Sequence, residues 1–366
     1  MKKILFITPR MVKYGSEYSL FWILRRLTKY RAILLSGQKG ELIRRLPPQI
    51  KVYIDPLQRP IDYYINFLCK KILKTTISEV YLEKIIRKEK PDACVLNTII
   101  TLKWIPVIKK YDVPVGVFVH ELYSAYEHIP SRDLNLLMDE TEFVICPSIE
   151  TCERLRQAGY NKKIFLFQEP IDTDDISFDS SYFLDLRNKY DFILGMSGVF
   201  CNFKGARLVT KIASYLKQRN IALIWLGKIL DTGLTALIMR QIKNLRLDNF
   251  VLIGEKDGKE YYSILNQIDG MLFTSIEDTY PIAVLEALYL QKPVITFNSG
   301  GVSEMIKEGM GRVVPLYDFD ALFQAIDDLV NNRIKINREL MRNFALHHDI
   351  KSRIQTFEAI LQEGFA

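Results

Sequence analysis

Thr274-Ser275-Ile276-Glu277-Asp278-Thr279-Tyr280-Pro281-Ile282-Ala283-Val284-Leu285-Glu286-Ala287 decides how this chain is read. Met271-Leu272-Phe273, just before it, is the short apolar run of a buried parallel strand, and Ile282 to Leu290 continues with helical spacing. Pro281 suits the first turn of that helix, where a missing N–H costs nothing. A strand end, a short turn and a helix start leave backbone N–H groups facing the turn, and the helix dipole favours an anion there. Carboxylates beside such a site can grip hydroxyl groups. A phosphate held by backbone together with hydroxyls held by acids is the chemistry of a nucleotide sugar.

Outward from this stretch, short apolar runs alternate with longer helix-like segments. In the first half they are Lys3–Thr8, Ala32–Leu35, Lys51–Ile54, Ala93–Leu96, Val115–Val119, Phe143–Cys146 and Lys163–Phe167. After Pro170-Ile171-Asp172 the rhythm restarts with Phe192–Met196, Ala222–Trp225, Phe250–Ile253, Gly270–Phe273, Pro293–Thr296 and Arg312–Val314. Strand-and-helix alternation is the signature of a parallel α/β sheet. The expected architecture is therefore two Rossmann-like, doubly wound domains facing one another across a cleft, with ligands at the C-terminal ends of the strands. The domains are read as 1–168, on the acceptor side, and 169–345, which binds the nucleotide sugar. A final segment, 346–366, places Ile350, Ile354, Phe357 and Leu361 on one apolar stripe. It packs either on its own domain or back on the first, and the second arrangement is the expectation adopted here.

The 366 residues, 48% hydrophobic and 25% charged, suffice for two core-bearing domains and exclude a disordered chain. No apolar run reaches the roughly 18 to 20 residues that span a bilayer, and Met1-Lys2-Lys3 leads into a run too short for a signal peptide. A cytoplasmic protein is expected, acting at the inner face of a membrane if it meets one. Five cysteines without a CxxC pair read as reduced thiols. Residues 1–168 hold 28 Lys and Arg against 17 Asp and Glu, a net of +11, while 169–366 hold 22 against 26, a net of −4. The basic half meets an acidic membrane surface or a lipid diphosphate, or is simply a solvated basic surface. Nucleic acid is not expected, since no zinc finger, RRM-like signature or basic arm is present. Ile61, Tyr64, Ile65, Leu68 and Ile72 share a helical face beside Lys70, Lys71 and Lys74, which fits either a lipid interface or packing on the sheet.

A second chemistry-bearing segment, Gly198-Val199-Phe200-Cys201-Asn202-Phe203-Lys204-Gly205, follows the first strand of the second half. Its glycines let backbone approach a ligand, and Lys204 can meet a diphosphate as a point charge. Taken with Ser275 to Ala287 and with Gly300-Gly301-Val302-Ser303-Glu304, it resembles the motif series of the retaining GT-B glycosyltransferases of family 4. Gly15-Ser16-Glu17, Pro147-Ser148 and Pro170-Ile171-Asp172 extend the likeness over nearly the whole chain. Two departures stand out: Val199 replaces the family's common arginine, and the leading acid is Asp278, with seven residues between it and Glu286, in the manner of the D-P-F-P variant.

The resemblance implies specific roles. Glu286 is similar to the acid that accepts from ribose hydroxyls, and Asp278 to the acid near the donor sugar's anomeric centre, although an Asp there can also cap the helix. Lys204 and the main-chain N–H groups of Ile282, Ala283 and Val284, in the turn opened by Pro281, would stabilise the leaving diphosphate. Gly198, Gly254 and Glu255 would contact phosphate and base, largely through backbone. In the first half, His120 at a strand end would approach the outer hydroxyl of the sugar, Gly15 would allow backbone to approach the transferred group, and Glu121 would bind acceptor. Implied partners are a nucleotide diphosphate-sugar and a glycan or lipid-linked acceptor. Configuration would be retained, no cofactor would be needed, and the setting would be bacterial surface polysaccharide biosynthesis.

Asp172-Thr173-Asp174-Asp175 superficially supplies the paired acids of a metal-dependent transferase. Its place after the linker proline favours a turn, so no metal is expected. A non-catalytic GT-B partner of an active transferase is the alternative from another class, to which Val199 gives weight. An epimerase or a phosphorylase is the enzymatic one.

Overall fold

The computed structural model describes the backbone of residues 1–366 and all side chains except those of Pro60, Ile61, Tyr63, Tyr64, Leu68, Leu73 and Tyr123. Among the described residues, seven parallel strands form one sheet: β1 (Lys3–Thr8), β2 (Arg31–Ser36), β3 (Lys51–Ile54), β4 (Ala93–Asn97), β5 (Val115–Phe118), β6 (Phe143–Cys146) and β7 (Lys163–Leu166). Six more form a second: β8 (Phe192–Ser197), β9 (Ile221–Leu226), β10 (Phe250–Gly254), β11 (Gly270–Phe273), β12 (Val294–Phe297) and β13 (Gly311–Val314). The orders are β3-β2-β1-β4-β5-β6-β7 and β10-β9-β8-β11-β12-β13. Each winds outward one way and then the other, so the switch points lie between β1 and β4 and between β8 and β11. Crevices at such points, beyond the carboxyl ends of the strands, are where doubly wound sheets bind ligands.

Every apolar run read from the sequence is a strand, with ends moved by a residue or two. β12 starts at Val294 rather than Pro293 because proline has no N–H for the ladder; the Pro293 carbonyl still accepts from Met271 N at 2.8 Å. Both faces of the second sheet are covered. Met271 and Phe273 of β11 join one core with Leu285 and Leu288, while Leu272 between them joins the other with Ile295 and Leu216. That alternation is the two-residue period of a strand buried on both sides.

The chain divides into two compact units, Met1–Pro170 with Ile350–Ala366, and Ile171–Asp349. The helix Ile350–Gly364 therefore belongs to the first unit. Phe357 lies against Phe167 and Phe118, with ring centroids 5.1 and 6.4 Å apart. Glu358, buried, accepts from Thr28 N at 2.6 Å and Lys29 N at 2.7 Å, just past the helix Gly15–Arg26. One carboxylate thus takes up two backbone donors of the turn that follows that helix.

On the helix Pro60–Leu73, Ile61, Tyr64 and Leu68 of the expected apolar face lie outside the described side chains. Ile65 and Ile72 are exposed, as is Phe67. No helix among the described residues is long and apolar enough to cross a membrane. Cys94 and Cys146 are buried, the other three cysteines partly so.

Candidate active site

The second unit gathers its candidate residues at the β8/β11 switch point. β8 ends at Ser197, and the turn that follows passes through Gly198 (φ +128°) and the short 3₁₀ segment Asn202–Lys204 to Gly205 (φ +87°). A Cβ on Gly205 would sit 2.3 Å from Thr274 Oγ1, so only glycine fits this crossing under β11. Ile276 N donates to Phe203 O at 2.8 Å, tying the two loops together. Lys204 is thereby aimed at Asp278, and its Nζ donates to Asp278 Oδ2. Asp278 is held in turn from the β12 side, its N–H donating to Ser299 O at 2.8 Å and its carbonyl accepting from Gly301 N at 3.1 Å. The cation expected at the phosphate and the acid expected at the sugar are in direct contact.

Three residues beyond Asp278, the helix Ile282–Tyr289 begins with Pro281 as its N-cap. Val284 N donates back to Pro281 O at 3.1 Å, so of the three amides expected to face an anion it is turned inward. Ile282 and Ala283 occupy the first two helical positions, whose N–H groups have no acceptor within the helix. Tyr280, buried just before the cap, fixes the approach. Its hydroxyl lies 2.8 Å from His348 Nε2, and His348 Nδ1 faces the Phe344 carbonyl at 2.9 Å. A carbonyl can only accept, so Nδ1 carries a proton, and in the neutral imidazole the tyrosine then donates to Nε2.

Glu286, one turn into the helix, is 8% exposed. Tyr262 Oη donates to its Oε1 at 2.8 Å and Tyr261 Oη to its Oε2 at 2.8 Å. Burial pushes this carboxyl up to about 7, against the two tyrosine hydrogen bonds, which favour the ion. Gly254 joins the same edge of the sheet, since Gly227 N donates to Gly254 O and Gly198 N to Leu226 O, both at 2.9 Å. Glu255 beside it is exposed.

In the first unit the candidates meet at the β1/β4 switch point. Asn97 closes β4, and its Nδ2 donates to Ser16 O, the residue after Gly15, at 3.3 Å. That carbonyl fixes the amide orientation, so Asn97 Oδ1 is the atom 2.9 Å from His120 Nε2. Nε2 must therefore bear a proton. Nδ1 lies 2.6 Å from Glu169 Oε1, and both side chains are about 95% buried. Burial opposes charge on the imidazole, but the Glu169 carboxylate foremost, then Glu121 and Glu17, raise the histidine's pKa against it. His120 thus has both ring nitrogens engaged inside its own unit. For a ring nitrogen to bond the outer sugar hydroxyl it is expected to approach, one of these bonds would have to open or be shared.

Glu121 accepts from the N–H of His120 at 2.9 Å and of Ile99 at 3.3 Å. Burial pushes it up to about 7, offset in part by the charge of His120 and by those two bonds. Thr98, between Asn97 and Ile99, adopts φ +83°, a strained conformation for a β-branched residue. Glu17, also buried, accepts from Arg10 Nε at 3.3 Å and Ser16 Oγ at 2.7 Å. Gly15, at the exposed start of its helix, is linked to this network through Ser16.

Asn97, Glu169, Tyr261, Tyr262 and His348 were not among the residues singled out from sequence. Glu169 had a visible signal, a lone acid immediately before the linker Pro170. The others are ordinary core or helix residues until the fold joins them to their partners. Asp172 is buried, and its Oδ1 accepts from Asp174 N at 3.2 Å, the turn-forming use of an aspartate. Thr173 Oγ1 donates to Asp349 Oδ2. Among the described residues no group of three or more His, Cys, Asp or Glu side chains is arranged to hold a metal ion.

Two doubly wound parallel sheets, each carrying polar groups at its switch point, define a GT-B architecture. The family description "Glycosyltransferase Family 4" matches residues 36–175, and "Glycosyl transferases group 1" matches residues 184–346. HepE from Anabaena, solved with UDP and glucose, superposes with a TM-score of 0.81 over 99% of this chain and 100% of its own, at 18% identity. WaaG, a glycosyltransferase involved in lipopolysaccharide biosynthesis, does so with a TM-score of 0.72 over 98% and 99%, at 13% identity. The processive diacylglycerol alpha-glucosyltransferase of Acholeplasma laidlawii is 24% identical over 235 residues, which span 64% of this chain and 61% of that protein. The chain belongs to the GT-B glycosyltransferases of family 4, of the group 1 type.

Proposed function

We propose that the chain transfers a sugar from a nucleotide diphosphate-sugar to a hydroxyl of a glycan or glycolipid acceptor, with retention of configuration and without a metal. The observation that carries this reading is Lys204, paired with Asp278 at the β8/β11 switch point, three residues before the helix start at Pro281. There an ammonium and the free N–H groups of Ile282 and Ala283 can take up the charge of a departing diphosphate, the task a metal performs in other transferases. The bond from the anomeric carbon to the diphosphate oxygen breaks, the acceptor oxygen bonds to the same face, and its proton passes to the leaving phosphate. Asp278, released from Lys204 as the phosphate arrives, steadies positive charge developing on the sugar ring.

HepE was solved with UDP-glucose as well as with UDP and glucose, which makes UDP-sugars the first donors to try. The Acholeplasma relative acts on diacylglycerol. With exposed Ile65, Phe67 and Ile72 beside Lys70, Lys71 and Lys74, it supports a lipid-linked acceptor met at an acidic membrane surface during surface polysaccharide synthesis. A thermal-shift panel of UDP, GDP, dTDP and ADP, then of their sugars, tests the donor half. Nucleotide release on adding acceptor extract, undiminished by EDTA, tests the transfer. Strict dependence on Mg or Mn would overturn the metal-free mechanism.

The second reading, a non-catalytic partner of an active transferase, is favoured by Val199 alone. It predicts nucleotide binding with no release of nucleotide from any sugar donor.

A further inference from the structure

The Glu286 carboxylate is clasped by two tyrosine hydroxyls, one on each oxygen, both at 2.8 Å. An ionised carboxylate offers about four lone-pair positions. Two are taken, one per oxygen, which leaves each oxygen able to accept from one of the two O–H groups of a vicinal diol. The clasp also has a direction. Tyr261 gives its proton to Glu286, so the contact of 2.8 Å between its oxygen and Ser197 Oγ must be donated by the serine. Ser197 is the last residue of β8 and directly precedes Gly198. The relay Ser197 to Tyr261 to Glu286 therefore ties the acid on the helix Ile282–Tyr289 to the turn that carries Lys204. The two rings, 5.0 Å apart and edge to face, brace one another, with Tyr262 buried and Tyr261 half-buried.

We infer that Tyr261 and Tyr262 are positioning residues that present Glu286 as a two-point acceptor for the 2′,3′-diol of a ribonucleoside diphosphate, and so select ribonucleotides over their deoxy forms. The inference rests on the proposed nucleotide-sugar reading and adds residues and a selectivity to it. Its physical basis is that a buried carboxylate with free rotation loses hydrogen-bond geometry and, once its donors are removed, holds its proton more tightly. A protonated acid accepts fewer hydrogen bonds and discriminates a diol poorly.

The test is calorimetric titration of the full chain with UDP and 2′-deoxy-UDP, and with GDP and ADP against their 2′-deoxy forms, for the native protein, Tyr261→Phe and Tyr262→Phe. The native chain should prefer the ribose form about tenfold or more, as sites built to bond a hydroxyl do. In each variant the preference should shrink to about threefold or less. Affinity for the ribose form should also fade at a higher pH as the solution is acidified. A merely structural role would weaken both ligands equally and leave the ratio unchanged, which would overturn the inference. Tyr261, half-buried, is the milder substitution, and its ratio decides the matter even if Tyr262→Phe does not fold. Equal native affinity for ribose and deoxy forms would overturn the inference while leaving the nucleotide reading intact. Failure of the native chain to bind any of these nucleotides would overturn both.

Discussion

The two switch points handle charge in opposite ways. In the first unit Asn97, His120, Glu169, Glu121 and Ser16 form a buried network in which both imidazole nitrogens are engaged, while Glu169 Oε2 is buried without a partner. In the second, Lys204 and Asp278 make a simpler pair, 31% and 11% exposed at the side chain, beside a helix start whose first N–H groups have no internal acceptor. A buried network sets geometry; a partly exposed pair can exchange its partner for a ligand. Polar groups in the first unit therefore suit orientation of a neutral reactant, and those in the second suit neutralisation of an anion.

The sharpest attack on that contrast is to remove the open charges. Lys204→Ala should lower transfer by about 10²–10³-fold, the loss typical of one preorganised charge stabiliser; Glu286→Ala, which removes the hydroxyl-binding acid instead, should also lower transfer. Glu286→Ala should weaken nucleotide binding as well. Near-native nucleotide release from both variants would dissolve the distinction.

Next in size is a pH effect on stability. Folding raises Glu286 from its ordinary 4.5 to about 7, so the folded chain holds this proton more tightly than the unfolded one. The favourable contribution is complete below pH 4.5 and is lost as pH rises through 7. Glu286→Gln, which cannot ionise, should therefore match the native protein near pH 4 and exceed it at pH 8 by on the order of 3 kcal/mol. Thermal melts across that range measure the gap, and a constant difference would show that burial of the charge is not its source.

Gly205→Ala tests the framework of the open site, because the added methyl collides with Thr274 in a backbone conformation alanine resists. Destabilisation of about 1–3 kcal/mol is expected by denaturant melts. In the first-unit network, Glu169→Gln should lower the pKa of His120, read from its imidazole NMR signals, since that carboxylate is foremost among the groups that raise it against burial. An unmoved titration would mean that Glu121 and Glu17 hold the charge instead. The smallest effect belongs to Ile282→Val, which leaves the main-chain N–H in place. It should keep near-native transfer and cost only about 0.5–1.5 kcal/mol in a denaturant melt.

Much of this was legible in the chain itself. All the strands could be read because a strand covered on both faces is a short unbroken apolar run, as in Phe143–Cys146 and Gly270–Phe273. Lys204, Asp278 and Glu286 could be picked out because they sit at fixed offsets from a strand end, a glycine turn and a helix start, all local features. His120 was found for the same reason. Its engagement was not, because Glu169 is 49 residues away and Asn97 is 23, and neither spacing has a period.

By itself, then, the order of residues determined two doubly wound sheets and the turns where charged side chains would emerge, because hydrophobic periodicity and turn chemistry act over a few neighbouring positions. Only the tertiary structure decided what those side chains touch. It paired Lys204 with Asp278 across 74 positions and clasped Glu286 between Tyr261 and Tyr262. It turned Val284 N–H inward and gave His120 its proton. Hydrogen bonds and buried charges depend on distances of a few ångströms, and only the folded packing of strands sets those distances.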